Sequence, residues 1–358
     1  MRREVLVTGA AIAPPLMMVV SCIEPTPGQS TGKAQFGTKA SISTLAGGTS
    51  TGPFRQPWGL ALHPTNNRVY VADALSHSIK SVSTGGGAVA TLAGSGTAGY
   101  LNGTGTGARF NYPRGIAFDG TGTYLYVVEN YANCVRKILV SSGQVTHVAG
   151  SSTAGSADGG PPGTWTAAPA AGVAQFSSPW DIAWDSYRST FVISDSATRT
   201  IRRMTTAGAV STICTMTGVP RGLCTDTAGW IYVAVPNENR VYSIGPGGAP
   251  TVRANITDPW DVTVDVAGTM FIPSGGTHTM HWSGGSGLQV LTGTGVPGMG
   301  GGAPPAAQLN DPKAVVVGPG NMLYVAEYGN YAVRKIDNTG IVPAPTPTPP
   351  PPTPTPTP

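Results

Sequence analysis

The sequence predicts an all-β fold, a six-bladed β-propeller made of four-stranded antiparallel blades. Three observations carry this prediction: a high content of glycine and proline, a strand pattern that recurs six times, and an N-terminal strand that completes the last unit. The 358 residues include 50 Gly and 33 Pro, so long helices have little room. Short strands joined by turns are the building material that remains.

Each repeat opens on a proline that begins a predicted strand. A second strand, rich in β-branched and aromatic residues, follows as in Val69-Tyr-Val-Ala-Asp73, and a third lies at constant offset, as in Cys134-Val-Arg-Lys-Ile138. The six opening segments are Pro57-Trp-Gly-Leu-Ala, Pro113-Arg-Gly-Ile-Ala, Pro179-Trp-Asp-Ile-Ala, Pro220-Arg-Gly-Leu-Cys, Pro259-Trp-Asp-Val-Thr and Pro312-Lys-Ala-Val-Val.

A fourth predicted strand completes each repeat and indicates how the ring closes. Five of these strands follow a third strand, whereas the sixth, Ile42-Ser-Thr-Leu-Ala-Gly47, precedes the first repeat. Pairing this N-terminal strand into the last blade would close the propeller and bury the faces of every sheet. The opening prolines are 39 to 66 residues apart, so the longer repeats hold glycine-rich inserts between strand four and the next strand one.

This set of motifs resembles the NHL repeat over residues 41 to 339. The resemblance includes an anchor of alanine and a large apolar residue three positions before the repeat proline, as in Ala108-Arg-Phe110 and Ala174-Gln-Phe176. Repeats four and five depart from it, with Val235-Pro236 and Pro273-Ser274 where others end strand two on Asp or Glu. Proline within a strand favours an edge or a bulge, so we expect these two blades to be less regular. The resemblance implies a fold and no particular function.

Four segments divide the chain. Residues 1–22 are interpreted as an export signal, 23–40 as a linker, 41–340 as the six-bladed NHL β-propeller, and 341–358 as a Pro/Thr-rich polyproline II tail. The signal ends in a sequence that resembles a bacterial lipobox, in which Cys22 would carry a lipid anchor, and simple cleavage is the alternative. A secreted or cell-surface protein is therefore expected.

The composition limits the kinds of partner that we expect this protein to bind. The net charge is only +4 without any Lys/Arg run, so we do not expect nucleic-acid binding. The apolar stretch from Val5 to Val20 is too short to span a membrane, so no transmembrane span is expected. Cys134, Cys214 and Cys224 lack metal-binding spacing, and their disulfide pairing stays open. Asn102 and Asn255 begin Asn-x-Thr sequons and would accept N-linked glycan in a eukaryotic secretory host.

No arrangement typical of catalysis is found. One enzyme with NHL repeats, the peptidylglycine amidating lyase, holds zinc with histidines from different blades, but here the five histidines are scattered in the repeat register. No serine lies in a G-x-S-x-G elbow. Strand two ends on a carboxylate in four repeats, where it is expected to accept hydrogen bonds from the following turn. We therefore expect no catalytic residue, no metal and no cofactor.

One pattern is not explained by the repeat itself. The residue after each repeat proline alternates between tryptophan and a cation, and equivalent positions share one rim of a propeller channel. Indoles stack on sugar rings, and cations pair with carboxylate or sulfate, which favours a glycan or an acidic peptide. Packing between blades explains the same residues equally well. The predicted rim residues are Trp58, Arg114, Trp180, Arg221, Trp260 and Lys313, together with Asp181 and Asp261.

The sequence favours a non-enzymatic binding module at the cell surface or in the medium, with a protein or glycan ligand on the propeller rim. Two alternatives stay open: a metal-dependent propeller lyase or hydrolase, and a structural component of a cell wall or sheath. Propellers host unrelated functions, so the fold does not choose among them.

Overall fold

The computed structural model describes residues 41–160, 172–284, 287–303 and 306–337. These residues form six antiparallel sheets, and each sheet is one blade. The innermost strands of neighbouring blades contact each other in cyclic order, and the last contacts the first. The predicted six-bladed β-propeller is therefore confirmed. The predicted export signal, linker and Pro/Thr tail lie outside the described residues.

The first three blades follow the predicted repeat from the inner strand to the outer strand. Blade 1 consists of β2 (Pro57–Leu62), β3 (Arg68–Asp73), β4 (Ser78–Ser83) and β5 (Ala90–Ala93). Blade 2 consists of β7 (Pro113–Phe118), β8 (Tyr124–Glu129), β9 (Cys134–Leu139) and β10 (Gln144–Gly150), with the extra strand β6 (Gly103–Thr104) outside β10. Blade 3 consists of β11 (Pro179–Asp185), β12 (Thr190–Asp195), β13 (Thr200–Met204) and β14 (Val210–Thr215).

The last three blades include the closing blade. Blade 4 consists of β15 (Leu223–Thr225), β16 (Ile231–Val235), β17 (Arg240–Ile244) and β18 (Pro250–Asn255). Blade 5 consists of β19 (Thr263–Val264), β20 (Met270–Ser274), β21 (Thr279–Gly284) and β22 (Gly287–Thr292). Blade 6 consists of β23 (Pro312–Val317), β24 (Leu323–Glu327), β25 (Ala332–Asp337) and β1 (Ser41–Gly47). Four single-turn 3-10 helices are Ala74–Ser76, Gly105–Gly107, Pro236–Glu238 and Pro319–Asn321.

The ring closes through the N-terminal strand, as the sequence predicts. Strand β1 pairs antiparallel with β25, so that Ile42 lies opposite Ile336 and Thr44 lies opposite Arg334. Blade 6 thus contains both ends of the described chain. Because a closed ring leaves no blade with an exposed face, this pairing protects the first and last sheets alike.

The hydrophobic core consists of six clusters, one between each pair of neighbouring blades. In each cluster the β-branched and aromatic residues of one sheet pack on the facing sheet, as Phe118 of blade 2 packs on Tyr70 of blade 1 with ring centroids 5.1 Å apart. The predicted loop anchors are also in the core, since Phe110 and Phe176 are fully buried. Each blade therefore depends on its neighbours for cover.

Blades 4 and 5 are less regular, as predicted. Their inner strands β15 and β19 contain three and two residues, whereas the other inner strands contain six or seven. At the start of these two blades, a backbone hydrogen bond joins one blade to the other: Gly222 N of blade 4 donates to Trp260 O of blade 5 at 3.0 Å. A Cβ at Gly222 would collide with the Asp261 side chain, so only glycine fits there.

Four blades contain a buried ion pair between the carboxylate that ends strand two and a cation on strand three. These pairs are Lys80 with Asp73, Arg136 with Glu129, Arg202 with Asp195, and Arg334 with Glu327. The arginines also donate to the insert before strand one: Arg136 Nη2 bonds to Leu101 O at 2.7 Å. Blades 4 and 5 lack both the carboxylate at the end of strand two and the Lys or Arg on strand three, and the connections that precede their inner strands are short.

The expected role of these carboxylates is only partly right. Asp73 does accept from Ser76 in the following turn, at 2.7 Å. It also accepts from Gln56 N at 2.7 Å, in the segment before strand one. Glu129 likewise accepts from Asn111 N at 2.6 Å. The carboxylates therefore fasten the insert and the start of the inner strand, because those segments have backbone donors that no strand satisfies.

We predict that Glu129→Ala lowers the free energy of unfolding by about 3–5 kcal/mol, because it leaves the fully buried Arg136 without a counter-charge. The control is Asp158→Ala. Asp158 also pairs with a buried arginine, Arg202, but its side chain is 50% exposed, so the loss should stay below about 1 kcal/mol. Urea denaturation of both variants measures the difference, and equal losses would contradict the assigned role of the buried pair.

Candidate functional site

The inner strands bring the six residues that follow the repeat prolines together on the propeller axis. We call this group the aromatic–cation cluster; it consists of Trp58, Arg114, Trp180, Arg221, Trp260 and Lys313. Its three indoles touch one another, with ring centroids 5.3 Å apart for Trp58 and Trp180, 5.7 Å for Trp58 and Trp260, and 5.8 Å for Trp180 and Trp260. The predicted convergence of these positions is thus observed.

Each cation of the cluster lies between two indoles. The Arg114 guanidinium is 3.4 Å from the Trp180 ring centroid and 4.5 Å from that of Trp58. Lys313 Nζ is 3.5 Å from the Trp260 centroid and 5.6 Å from that of Trp58. Arg221 completes the ring, at 3.6 Å from Trp180 and 5.7 Å from Trp260. The alternation in the sequence therefore becomes a closed circle of cation–π contacts, which also joins the six blades at the axis.

The three cations differ in their partners. Lys313 Nζ forms an ion pair with Asp311 at 2.7 Å. Within the described residues no carboxylate forms an ion pair with Arg114 or Arg221. Arg114 is only 8% exposed, and its Nε and Nη1 groups are buried without an acceptor among the described residues. Positive charge on the blade 2 to blade 4 side of the cluster is therefore uncompensated.

Electrostatics reflects this lack of partners. Burial, together with the nearby charge of Arg221, lowers the pKa of Arg114 to about 9. Burial also lowers the pKa of Arg221 to about 10. Both side chains remain cationic at neutral pH, but at a cost in solvation that an anion at this position would offset.

Asp181 and Asp261 lie beside the cluster and line the channel. They accept hydrogen bonds from the inner strand of the next blade: Leu223 N donates to Asp181 at 2.9 Å, and Val315 N donates to Asp261 at 2.9 Å. They therefore join blade 3 to blade 4 and blade 5 to blade 6. Small residues at the equivalent positions of the other blades, such as Gly222, leave the space that these two side chains occupy.

Burial raises the pKa of Asp181 to about 7, even though backbone N–H groups favour its charged form. The pKa of Asp261 is raised well above its ordinary value by burial and by the charge of Asp181. Burial and the repulsion between the two charges thus both favour the protonated form of Asp261.

A cavity of about 1160 Å³ runs along the axis from the cluster to the turns between strands one and two, around His63, Asp119 and Tyr187. Its wall consists of the inner strands of all six blades. Seven of the eight residues predicted for the rim line this cavity: Trp58, Arg114, Trp180, Asp181, Trp260, Asp261 and Lys313. Arg221 is the remaining member of the eight and contacts the outside of the indole group.

Sequence reasoning missed a row of polar and aromatic side chains on the face that carries the cluster. We call it the tyrosine ledge; it consists of Tyr328, Gln56, Tyr112 and Tyr131. Gln56 Nε2 donates to the Tyr328 hydroxyl at 2.8 Å, and the Tyr112 hydroxyl donates to Gln56 Oε1 at 2.6 Å. Tyr131 stacks on Tyr112 with centroids 4.7 Å apart. The position before each repeat proline, which holds Gln56 and Tyr112, carried this signal.

The remaining candidate residues lie apart from the cluster. His77 Nδ1 accepts from Tyr112 N at 3.3 Å and His278 Nδ1 from Asp311 N at 3.0 Å, so both fasten a turn to the next blade. No group of three His, Cys, Asp or Glu side chains in the described residues could hold a metal ion. Cys134, Cys214 and Cys224 form no disulfide bond, and Asn102 and Asn255 of the two sequons are exposed.

Comparison with known proteins agrees with this architecture. The NHL repeat family matches residues 54–80, which span the loop anchor, the first two strands of blade 1 and the start of the third. The chain is a six-bladed β-propeller that contains an NHL repeat. An Arabidopsis thaliana relative, Protein SUPPRESSOR OF QUENCHING 1, chloroplastic, is 24% identical over 335 residues. That match covers 80% of this propeller chain but only 31% of the relative.

Solved structures share the fold of the NHL propeller at low identity. A protein of unknown function from Bacteroides thetaiotaomicron has a TM-score of 0.64 at 17% identity, over 83% of this chain and 76% of that one. A gluconolactonase from Xanthomonas campestris has a TM-score of 0.58 at 15% identity, over 88% of this chain and 98% of that one. The fold is thus shared by enzymes and by proteins without known activity. Among the described residues, no helix has the length and apolarity that a bilayer crossing requires.

We predict that the propeller loses stability as the pH rises through the titration of Asp181. Its pKa in the folded protein is about 7 and its ordinary value is 3.8, so between these values the unfolded chain binds fewer protons than the folded one. Asp181 alone should therefore contribute a fall in the free energy of unfolding on the order of 3 kcal/mol from pH 4 to pH 8. Urea denaturation across this range should show a smaller fall for Asp181→Ala, and an unchanged slope would contradict the burial of this carboxyl as an acid.

Proposed function

We propose that this NHL propeller is an extracellular or cell-surface binding module, and not an enzyme, which recognises an anionic ligand at the aromatic–cation cluster. The ligand is a glycan or a protein segment that carries carboxylate or sulfate. The polar, weakly charged composition and the apolar N-terminal segment support a place outside the cell.

The observation that carries the proposal is the approach of two arginines to Trp180. Arg114 of blade 2 and Arg221 of blade 4 lie 3.4 and 3.6 Å from the centroid of this indole. Blades 2 and 4 flank blade 3, so each guanidinium reaches the indole from a neighbouring blade. Both groups are thus ordered by the ring before a ligand binds, which limits the entropy cost of binding.

Unsatisfied donors give the anion its binding energy. Buried N–H groups are nearly always hydrogen-bonded, and the two that lack an acceptor on Arg114 are exceptions that a ligand oxygen would remove. A charge-assisted hydrogen bond contributes about 1.5–3 kcal/mol, which corresponds to roughly 10- to 100-fold in affinity. Lys313 is not expected to contribute in the same way, because its charge is already neutralised by Asp311.

Packing between blades uses the same residues and is compatible with binding. The cation–π contacts join the blades whether or not a ligand is present. Arginines with carboxylate partners could form the same contacts, so packing between blades does not explain why Arg114 and Arg221 lack a counter-charge. The enzyme and cell-wall alternatives have no comparable observation in their favour.

We predict that Arg221→Gln weakens binding of polyanions at least tenfold, because it removes one of the two guanidinium groups that lie against Trp180. Arg253→Gln is the matched control, since it makes the same change of charge on the exposed outer strand of blade 4 and should change affinity less than twofold. The probes are oligogalacturonate, sulfated galactan oligomers and poly-glutamate, and calorimetry gives each affinity. Equal effects of the two substitutions, or no binding of any anionic probe to the parent protein, would refute the proposed function.

A further inference from the structure

We infer that the anionic ligand is an acidic glycan, and that Tyr131 is the platform on which one of its sugar rings stacks. This inference rests on the proposed function, since it concerns the same face of the propeller. It assigns a ligand class and a residue that the repeat pattern did not single out.

Tyr131 presents an open aromatic face to solvent. The side chain is 61% exposed, although tyrosine normally buries much of its ring. One face stacks on Tyr112 with an interplanar angle of 26°, so the opposite face remains uncovered. A flat, uncovered aromatic face is the surface that pyranose rings stack on through their C–H groups.

The platform is held in place before any ligand arrives. The side chain of Asn130, its neighbour in the turn, donates to Pro179 O of blade 3 at 3.2 Å, and Asn130 N donates to Tyr112 O at 3.2 Å. Tyr112 in turn is fixed by its hydroxyl bond to Gln56. A ring that is already ordered loses little conformational entropy on binding.

The repeat does not require an aromatic residue at this position. The residue in the corresponding turn of the other blades is aliphatic, polar or absent as a side chain. These equivalents are Leu75, Ala197, Asn237, Gly276 and Gly329. The fold is formed in five blades without an aromatic ring here, so the ring of Tyr131 has a role other than folding.

Tyr131 and Arg114, the arginine without an ion pair, both contact Tyr112. The Arg114 guanidinium is 5.0 Å from the Tyr112 ring centroid, and the Tyr131 centroid is 4.7 Å from it. The open face of Tyr131 is turned away from Tyr112, so a sugar ring stacked on it is separated from Arg114 by the Tyr131 ring. In an acidic oligosaccharide a neighbouring sugar carries its carboxylate or sulfate to Arg114, whereas an acidic peptide offers the charge without a ring to stack.

The test uses the full chain with three kinds of probe: acidic oligosaccharides (galacturonate, glucuronate and sulfated galactose oligomers), neutral cello-oligosaccharides, and poly-glutamate. We expect the acidic sugars to bind most tightly. Tyr131→Ala should weaken their binding about tenfold and leave the weaker binding of poly-glutamate unchanged, because only the sugar uses the aromatic face. Tyr131→Phe should stay within about threefold of the parent, since it keeps the ring.

Leu75→Ala is the matched control, because it removes an exposed apolar side chain from the equivalent turn of blade 1 and should have no effect. If poly-glutamate binds as tightly as the acidic sugars and Tyr131→Ala changes neither affinity, the glycan assignment is overturned while anion binding at the cluster stands. If no anionic probe binds the parent protein, both this inference and the proposed function fail.

Discussion

Six inner strands that begin at one level around a common axis place six side chains into the same small space. Large residues fit there only if they stack on one another, and like charges fit only if something separates them. Alternation of indole and cation meets both conditions, because each cation at the axis has an indole on either side. The rest of the ring depends on this arrangement, since it is where every blade meets the others.

Buried polar pairs repeat this logic farther from the axis. Blades with an insert carry a carboxylate and a cation that hold it, such as Glu129 with Arg136, and blades 4 and 5 have neither. Asp181 fastens the three-residue inner strand of blade 4, and Asp261 at the start of blade 5 bonds to the inner strand of blade 6. Buried charge in the described residues is thus mostly compensated. Arg114 is the one buried cation among them without an ion pair, and the half-buried Arg221 beside it also has none. An exception of this kind indicates a ligand rather than a structural need.

The fold was predictable because the repeat constrains it six times over. The opening prolines, the strand periodicity and the displaced strand at Ile42 all demand a closed ring, and all are visible in the sequence. The convergence of the residues after the prolines follows from the same symmetry. What the sequence could not provide is the relation between side chains of different blades: that Tyr112 reaches Gln56, that Asp181 bonds to Leu223 N, and that Lys313 has a counter-ion while Arg114 has none. These contacts depend on rotamers and on distances across blade boundaries, which no repeat pattern encodes.

The most direct test observes the two arginines themselves. In a ¹H–¹⁵N spectrum that resolves arginine Nε–Hε groups, titration with oligogalacturonate should shift the signals of Arg114 and Arg221. The signals of Arg136, Arg202 and Arg334, which are buried with carboxylate partners, should stay in place and serve as internal references. This selective pattern is the expected result. Shifts in all five signals alike, or in none, would contradict an anion site at the cluster.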